Sequence, residues 1–348
     1  MVATISEKVL GSTTSGETVK QFILRNSNGC EAKFINLGAA WVGFQFSDDS
    51  PNLVLGCDTL EAYLSQGAFL GATVGRFANR IKNSQFKLND EIIQVSENMS
   101  PHHIHGGFSG FSSKVWHSHI ELVNEQPTLT LSYRSIDGEE GFPGNLDVKI
   151  VICLSNDNKV SFDYLATTDK PTVVNLTNHA YFNLQGTKTG HINDHDFKIH
   201  ASTVLTSDDS AVPTGEISSV EGTALNLQDW TNIAQILGQA DDPHILRASG
   251  YDHCYCLAQD GTLKTVAEAR CNGITLTCAT TLPGVQFYTG NFLANTPINH
   301  IESYDAHGAF CFEPGFWPDS PNHDHFPTCI FDKSHPYTAI IEYQFLKQ

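Results

Sequence analysis

LDVKIVICLSNDNKVSFDYLAT, residues 146–167, is the stretch that decides how this chain folds. Apolar side chains recur at every second position in both halves, as a strand with one buried face requires, and the polar SNDNK between them is turn chemistry. Two such strands joined by a short turn make an antiparallel hairpin. Working outward, VKQFIL (19–24), EAKFIN (31–36), WVGFQF (41–46), EIIQV (91–95), LTLSYR (129–134), TVVNL (172–176), GITLTCATTL (273–282) and YTAIIEYQFL (337–346) carry the same alternation or β-branched enrichment. NSNG, SDDSPN, LNDE and QDGT supply further turns. Helical periodicity is confined to pieces such as TLEAYLSQ (59–66) and TNIAQILG (231–238), and no strand-then-long-helix alternation calls for a parallel sheet. The expectation is an all-β chain, a large antiparallel β-sandwich with a few short helices, forming one domain over residues 1–348 without a linker or a fixed repeat.

The 20 basic and 38 acidic residues leave a formal charge of −18, which repels phosphate backbones and anionic membranes. Nucleic acid and membrane are therefore excluded as partners, and a neutral small molecule suits the chain better. No run approaches the roughly 18 apolar residues of a membrane span, and the first residues lack an export signal. Nine cysteines, an odd number without a CxxC spacing, read as thiols of a cytoplasmic protein.

Chemistry concentrates where polar residues stand in apolar surroundings, because burying them costs free energy unless they find partners or ligands. GRFANRI contributes Arg76, Asn79 and Arg80, whose guanidinium forks suit either sugar oxygens or buried carboxylates. PHHIHGG brings His102, His103 and His105 before two glycines; an HxH clip with no following carboxylate is a weak metal signal. In NLTNHAYFNL, His179 is a candidate for titration near neutrality and Tyr181 for stacking on a sugar face, although a buried histidine bonded to a backbone carbonyl and an aromatic packed in the core are the commoner roles. Asp252 of YDH is either a hydroxyl acceptor or a turn residue, and Gln286 of LPGVQFYTGN either a ligand contact or a satisfied core amide. Glu313 is the most informative: it follows AFCF and precedes PGFW, and a carboxyl in such surroundings has its proton affinity raised toward neutrality, as a general base needs. A structural ion pair is its alternative.

Taken in order, GRFANRI, the HGG after His105, NLTNHAYFNL, YDH, LPGVQFYTGN and FEPGFWPDSPNH resemble the aldose 1-epimerase (galactose mutarotase) family, from about residue 20 to the C-terminus. The resemblance implies a large antiparallel sandwich with an open cleft and no cofactor or metal. It implies a catalytic acid at His179, a catalytic base at Glu313, and sugar contacts at Asn79, Arg80, His105, Asp252 and Gln286, with Arg76 and Tyr181 as further candidates. His102 stands where the family commonly has Asn, which touches only a supporting contact. The implied reaction is anomer interconversion of a free aldohexose such as galactose or glucose, by a monomer or homodimer. A hexose 6-phosphate epimerase would need extra cations, a pure sugar binder would need no acid–base pair, and a histidine-metal enzyme would reveal itself by metal analysis.

Overall fold

The computed structural model describes residues 2–238, 242–258 and 260–347. The opening hairpin forms as read: Leu146–Leu154 pairs antiparallel with Lys159–Thr168, and burial alternates along both strands. They sit inside a nine-stranded antiparallel sheet that continues on one side through Gln126–Ser135 to His117–Val123, and on the other through Tyr337–Lys347, Ile274–Thr280, Lys264–Cys271 and Asp196–Ile199 to Thr231–Asn232. The chain's last strand thus lies at the centre of the sheet, between Lys159–Thr168 and Ile274–Thr280.

Two smaller antiparallel sheets share one core with it. The first four strands, Thr4–Ser12, Thr18–Arg25, Glu31–Ile35 and Ala40–Gln45, place Trp41 within 5.5 Å, centroid to centroid, of both Phe182 and Tyr343. A five-stranded sheet runs in the order Pro213–Ser219, Thr203–Ser207, Asp252–Cys256, Gly284–Tyr288, Cys311–Gly315, and its Phe287 and Phe312 pack on Phe197 of the large sheet. An antiparallel β-sandwich is the result, with short helices at Leu60–Ser65 and Ile233–Leu237, inside the two pieces whose periodicity suggested them. A third, Pro243–Ala248, starts from Asp242, whose carboxylate caps the N–H groups of His244 and Ile245. TVVNL is a strand only over Thr172–Val173 and then leaves the ladder toward His179. Among the described residues no helix is long and apolar enough to cross a membrane. All nine cysteines are free thiols, six of them buried.

Candidate active site

The floor of the site is the strand Cys311–Gly315, at the edge of the five-stranded sheet. An edge strand tolerates Pro314, which has no N–H to give, and the two-residue period turns Cys311 and Glu313 to the same face. Gln286 lies opposite Glu313 on the neighbouring strand, and one strand further in Asp252 lies opposite Tyr288. His179 arrives from the other side, directly after Thr177–Asn178, which pairs with Thr73–Val74. Its N–H donates to the Ala72 carbonyl (2.8 Å), and its carbonyl accepts from Gly71 N–H (2.9 Å). Asn178 donates to the Gly71 carbonyl (2.7 Å), securing the same loop.

Asn79, Arg80 and His105 are delivered by the small ladder between Arg80–Ile81 and His103–Ile104. His105 N–H donates to the Asn79 carbonyl (3.1 Å), and Asn79 N–H donates to His105 Nδ1 (3.2 Å). A backbone N–H can only donate, so Nδ1 is an acceptor and the neutral ring carries its proton on Nε2. Asn79, His105 and Phe69 all have left-handed backbones (φ 66°, 51° and 56°), a costly conformation that collects at ligand sites. Gly106, which follows, is required by close approach: a Cβ there would stand 1.8 Å from the Gly75 carbonyl oxygen.

These elements enclose a cleft of about 180 Å³ lined by Phe69, Asn79, Arg80, His105, His179, Tyr181, Asp252, Tyr288, Phe292 and Glu313. At its base His179 Nε2 lies 3.5 Å from Glu313 Oε2, both side chains 6 % exposed. Tyr181 stacks on the imidazole at 5.0 Å between centroids. Around this pair runs a polar chain: Gln286 Nε2 donates to Asp252 Oδ1 (2.6 Å), Asp252 Oδ2 faces Arg80 Nη2 (3.5 Å), and Asn79 Oδ1 accepts from the Arg80 N–H (2.8 Å). Arg80 Nε and Gln286 Oε1 are buried without a hydrogen-bond partner in the protein. An unmade buried bond costs about 1–3 kcal/mol, so the site holds polar capacity that a hydroxylated ligand would take up.

Burial sets the proton affinities. Loss of solvent drives the Glu313 carboxyl well above the ordinary carboxylate range; Asp252 pushes the same way and Arg80 opposes. Loss of solvent lowers His179 to about 4, against a smaller upward pull from its own backbone and from Asp252. His105 is pushed well below its usual value by burial and by His179 and Arg80. Each buried group thus favours its neutral form. Burial of the His179–Glu313 pair favours neutral imidazole beside protonated carboxyl, and an imidazolium–carboxylate pair has the same proton count.

Eight of the nine sequence candidates therefore converge: His179, Glu313, Asn79, Arg80, His105, Asp252 and Tyr181 line the cleft, and Gln286 stands behind Glu313 in hydrogen bond with Asp252. Arg76 does not, which corrects its reading as a sugar contact. It is buried, and its guanidinium is spent on Ser135 Oγ (2.8 Å) and on the carbonyls of Ser135, Ile136 and Pro143 (3.0, 2.8 and 2.9 Å). Asp252 starts a strand rather than a turn. His102 accepts from Asn83 N–H and His103 bonds the Ser96 carbonyl, so neither adds to the cleft. Trp317 packs on Phe326 and donates to the Pro283 carbonyl, a core role outside the cleft. Phe69 and Phe292 line the cleft without any signal in the sequence, being apolar residues in unremarkable loops, and Tyr288 lines it from the end of the strand Gly284–Tyr288. Among the described residues one trio of metal-ligating types gathers within 4.8 Å, His179, Cys311 and Glu313. The imidazole stands between the other two, with Nδ1 turned to Cys311 and Nε2 to Glu313.

A sequence model of the aldose 1-epimerase family matches residues 20–344. The chain is 36 % identical over 342 residues to an aldose 1-epimerase of Escherichia coli K12, covering 96 % of this chain and 97 % of that one. It is 36 % identical over 351 residues to the galactose mutarotase of Mus musculus, covering 99 % of each. Its fold is similar to the crystal structure of a galactose 1-epimerase from Lactobacillus acidophilus NCFM, with a TM-score of 0.88, 27 % identity and 99 % coverage of both chains.

Proposed function

The chain belongs to the aldose 1-epimerase family and is an isomerase that interconverts the α and β anomers of free aldohexoses; we propose that Glu313 and His179 carry its two proton transfers. The observation that supports this pair is the 3.5 Å approach of His179 Nε2 to Glu313 Oε2 at the base of a cleft ringed with hydroxyl-binding groups.

Mutarotation needs a proton taken from the C1 hydroxyl and one given to the ring oxygen, so that C1–O5 breaks and an open-chain aldehyde forms. Glu313 as carboxylate takes the first and His179 as imidazolium gives the second. The pair is left as carboxylic acid and neutral imidazole, the form that burial favours. Rotation about C1–C2 presents the other carbonyl face, and ring closure returns both protons. One proton shared within the pair serves both directions, and no water or outside acid is consumed. Positioning falls to Arg80 and Asn79, to His105 through Nε2–H, to Asp252 as acceptor with Gln286 behind it, and to Tyr181 as an apolar wall. The reading uses no metal or cofactor. It takes residues 1–348 as one domain acting as a monomer or homodimer, and the nine free thiols support a cytoplasmic setting. Galactose and glucose are the substrates to test first. Polarimetry on freshly dissolved α-D-galactose and α-D-glucose decides it: wild type accelerates the approach to equilibrium, and absence of acceleration with every aldose tried refutes the reading.

A further inference from the structure

Cys311 lies two residues before Glu313, and the two side chains bracket one imidazole. Its Sγ is 3.6 Å from His179 Nδ1, while Glu313 Oε2 is 3.5 Å from Nε2. The thiol is fully buried, in an apolar cluster with Leu55, Tyr181 and Tyr288. We propose that Cys311 is a positioning residue for the acid: its sulfur accepts the Nδ1–H of His179, keeping Nε2 turned to the substrate and giving the imidazolium only a weak partner. The inference rests on the reading of His179 as the acid.

An imidazole that gives and retakes a proton at Nε2 must keep the other at Nδ1, and whatever sits at Nδ1 selects the tautomer and sets the basicity. A carboxylate there would hold the imidazolium firmly and weaken the acid. A neutral thiol is a poor acceptor, and burial keeps this one protonated by raising its own proton affinity. The sulfur is also a poor donor, so the opposite tautomer, with the proton on Nε2 and S–H directed at Nδ1, gains little. The remaining charged and titratable groups around the ring are Glu313, Asp252, Arg80, His105, Tyr181 and Tyr288, which reach it from the cleft or across its faces.

The test compares the full-length wild type with Cys311→Ala, Cys311→Val and Cys311→Ser by polarimetry from pH 3.5 to 9, with melting curves to establish folding. Ala and Val lower kcat about tenfold and leave KM within about twofold, since holding the acid matters to the transition state rather than to sugar binding. Ser, a stronger acceptor, retains more of kcat than Ala does and moves the acid limb of kcat upward by about half a pH unit or more, because it stabilises the imidazolium. A folded Ala or Val variant with wild-type kcat and pH profile overturns the proposal, as does a Ser variant with an unmoved acid limb. If Ala and Val fail to fold, the Ser limb decides alone. Full activity in His179→Gln would instead refute the acid assignment beneath it.

Discussion

The seam under Trp41 and the cleft under Phe69 are both buried, and they are built to opposite rules. In the seam Trp41 is packed against Phe34, Phe162, Phe182, Tyr343 and Phe345, and its one polar atom donates to the Gly43 carbonyl. In the cleft His105, His179, Glu313 and Gln286 are each under a tenth exposed, yet Gln286 Oε1 and Arg80 Nε go unpaired. The seam gains its stability by removing apolar surface from water. The cleft gives some of that gain back, since burying titratable groups and left-handed residues costs free energy and repays only in binding and catalysis.

Substitutions on either side test that contrast. His179→Gln and Glu313→Gln should each lower kcat by about 10²–10⁴-fold while remaining folded, read by polarimetry and circular dichroism. Trp41→Ala should do the reverse, losing about 3–5 kcal/mol in denaturant unfolding while the remaining folded protein keeps its KM. The two arginines of GRFANRI divide the same way on a smaller scale. Arg76→Met removes four buried hydrogen bonds to Ser135, Ile136 and Pro143 and should cost about 3 kcal/mol of stability, whereas Arg80→Met should raise KM about 10–100-fold with little change in melting. If Arg76→Met melted like the wild type and raised KM, the division between seam and cleft would fail.

Glu313→Gln carries a finer prediction. The native carboxyl holds its proton above the pH at which the unfolded one releases it, so the native state binds more protons and loses stability as pH rises above about 4.5. The Gln variant should therefore melt roughly 2–5 °C higher than wild type at pH 7, with the gain fading as pH falls toward 4.5. Smallest of all is the position of the acid limb. Because the pair works with one proton and His179 takes a second only near pH 4, kcat/KM should fall as pH drops through about 4 rather than through the ordinary histidine range near 6.5. A limb at 6.5 would mean that His179 is better solvated than its burial implies.

Strand alternation was legible because the period of two survives any arrangement of sheets: Leu146–Leu154 and Lys159–Thr168 bury every second residue, as their sequence alone requires. Polar residues in apolar runs marked most of the cleft for the same reason, since a buried Glu313 or Gln286 needs an explanation wherever it lies. That signal reports burial without direction. Arg76 and Arg80 share one motif and one chemistry, yet one enters a pocket of carbonyls around Ser135 and the other faces Asp252. Phe69 and Phe292 carried no signal, because an apolar residue at a cleft rim looks like any other apolar residue.

From its own residues the chain determined its strands, its turns, its acidic surface and the polar residues that had to be buried with a purpose, since these follow from local periodicity and the cost of desolvation. Tertiary structure alone decided that the last strand enters the centre of the large sheet, that His179 meets Glu313 across 134 residues of chain (313 − 179), and that Cys311 lies at the far side of the same ring. Contacts between residues so distant depend on how three sheets share one core, and no local pattern encodes that packing.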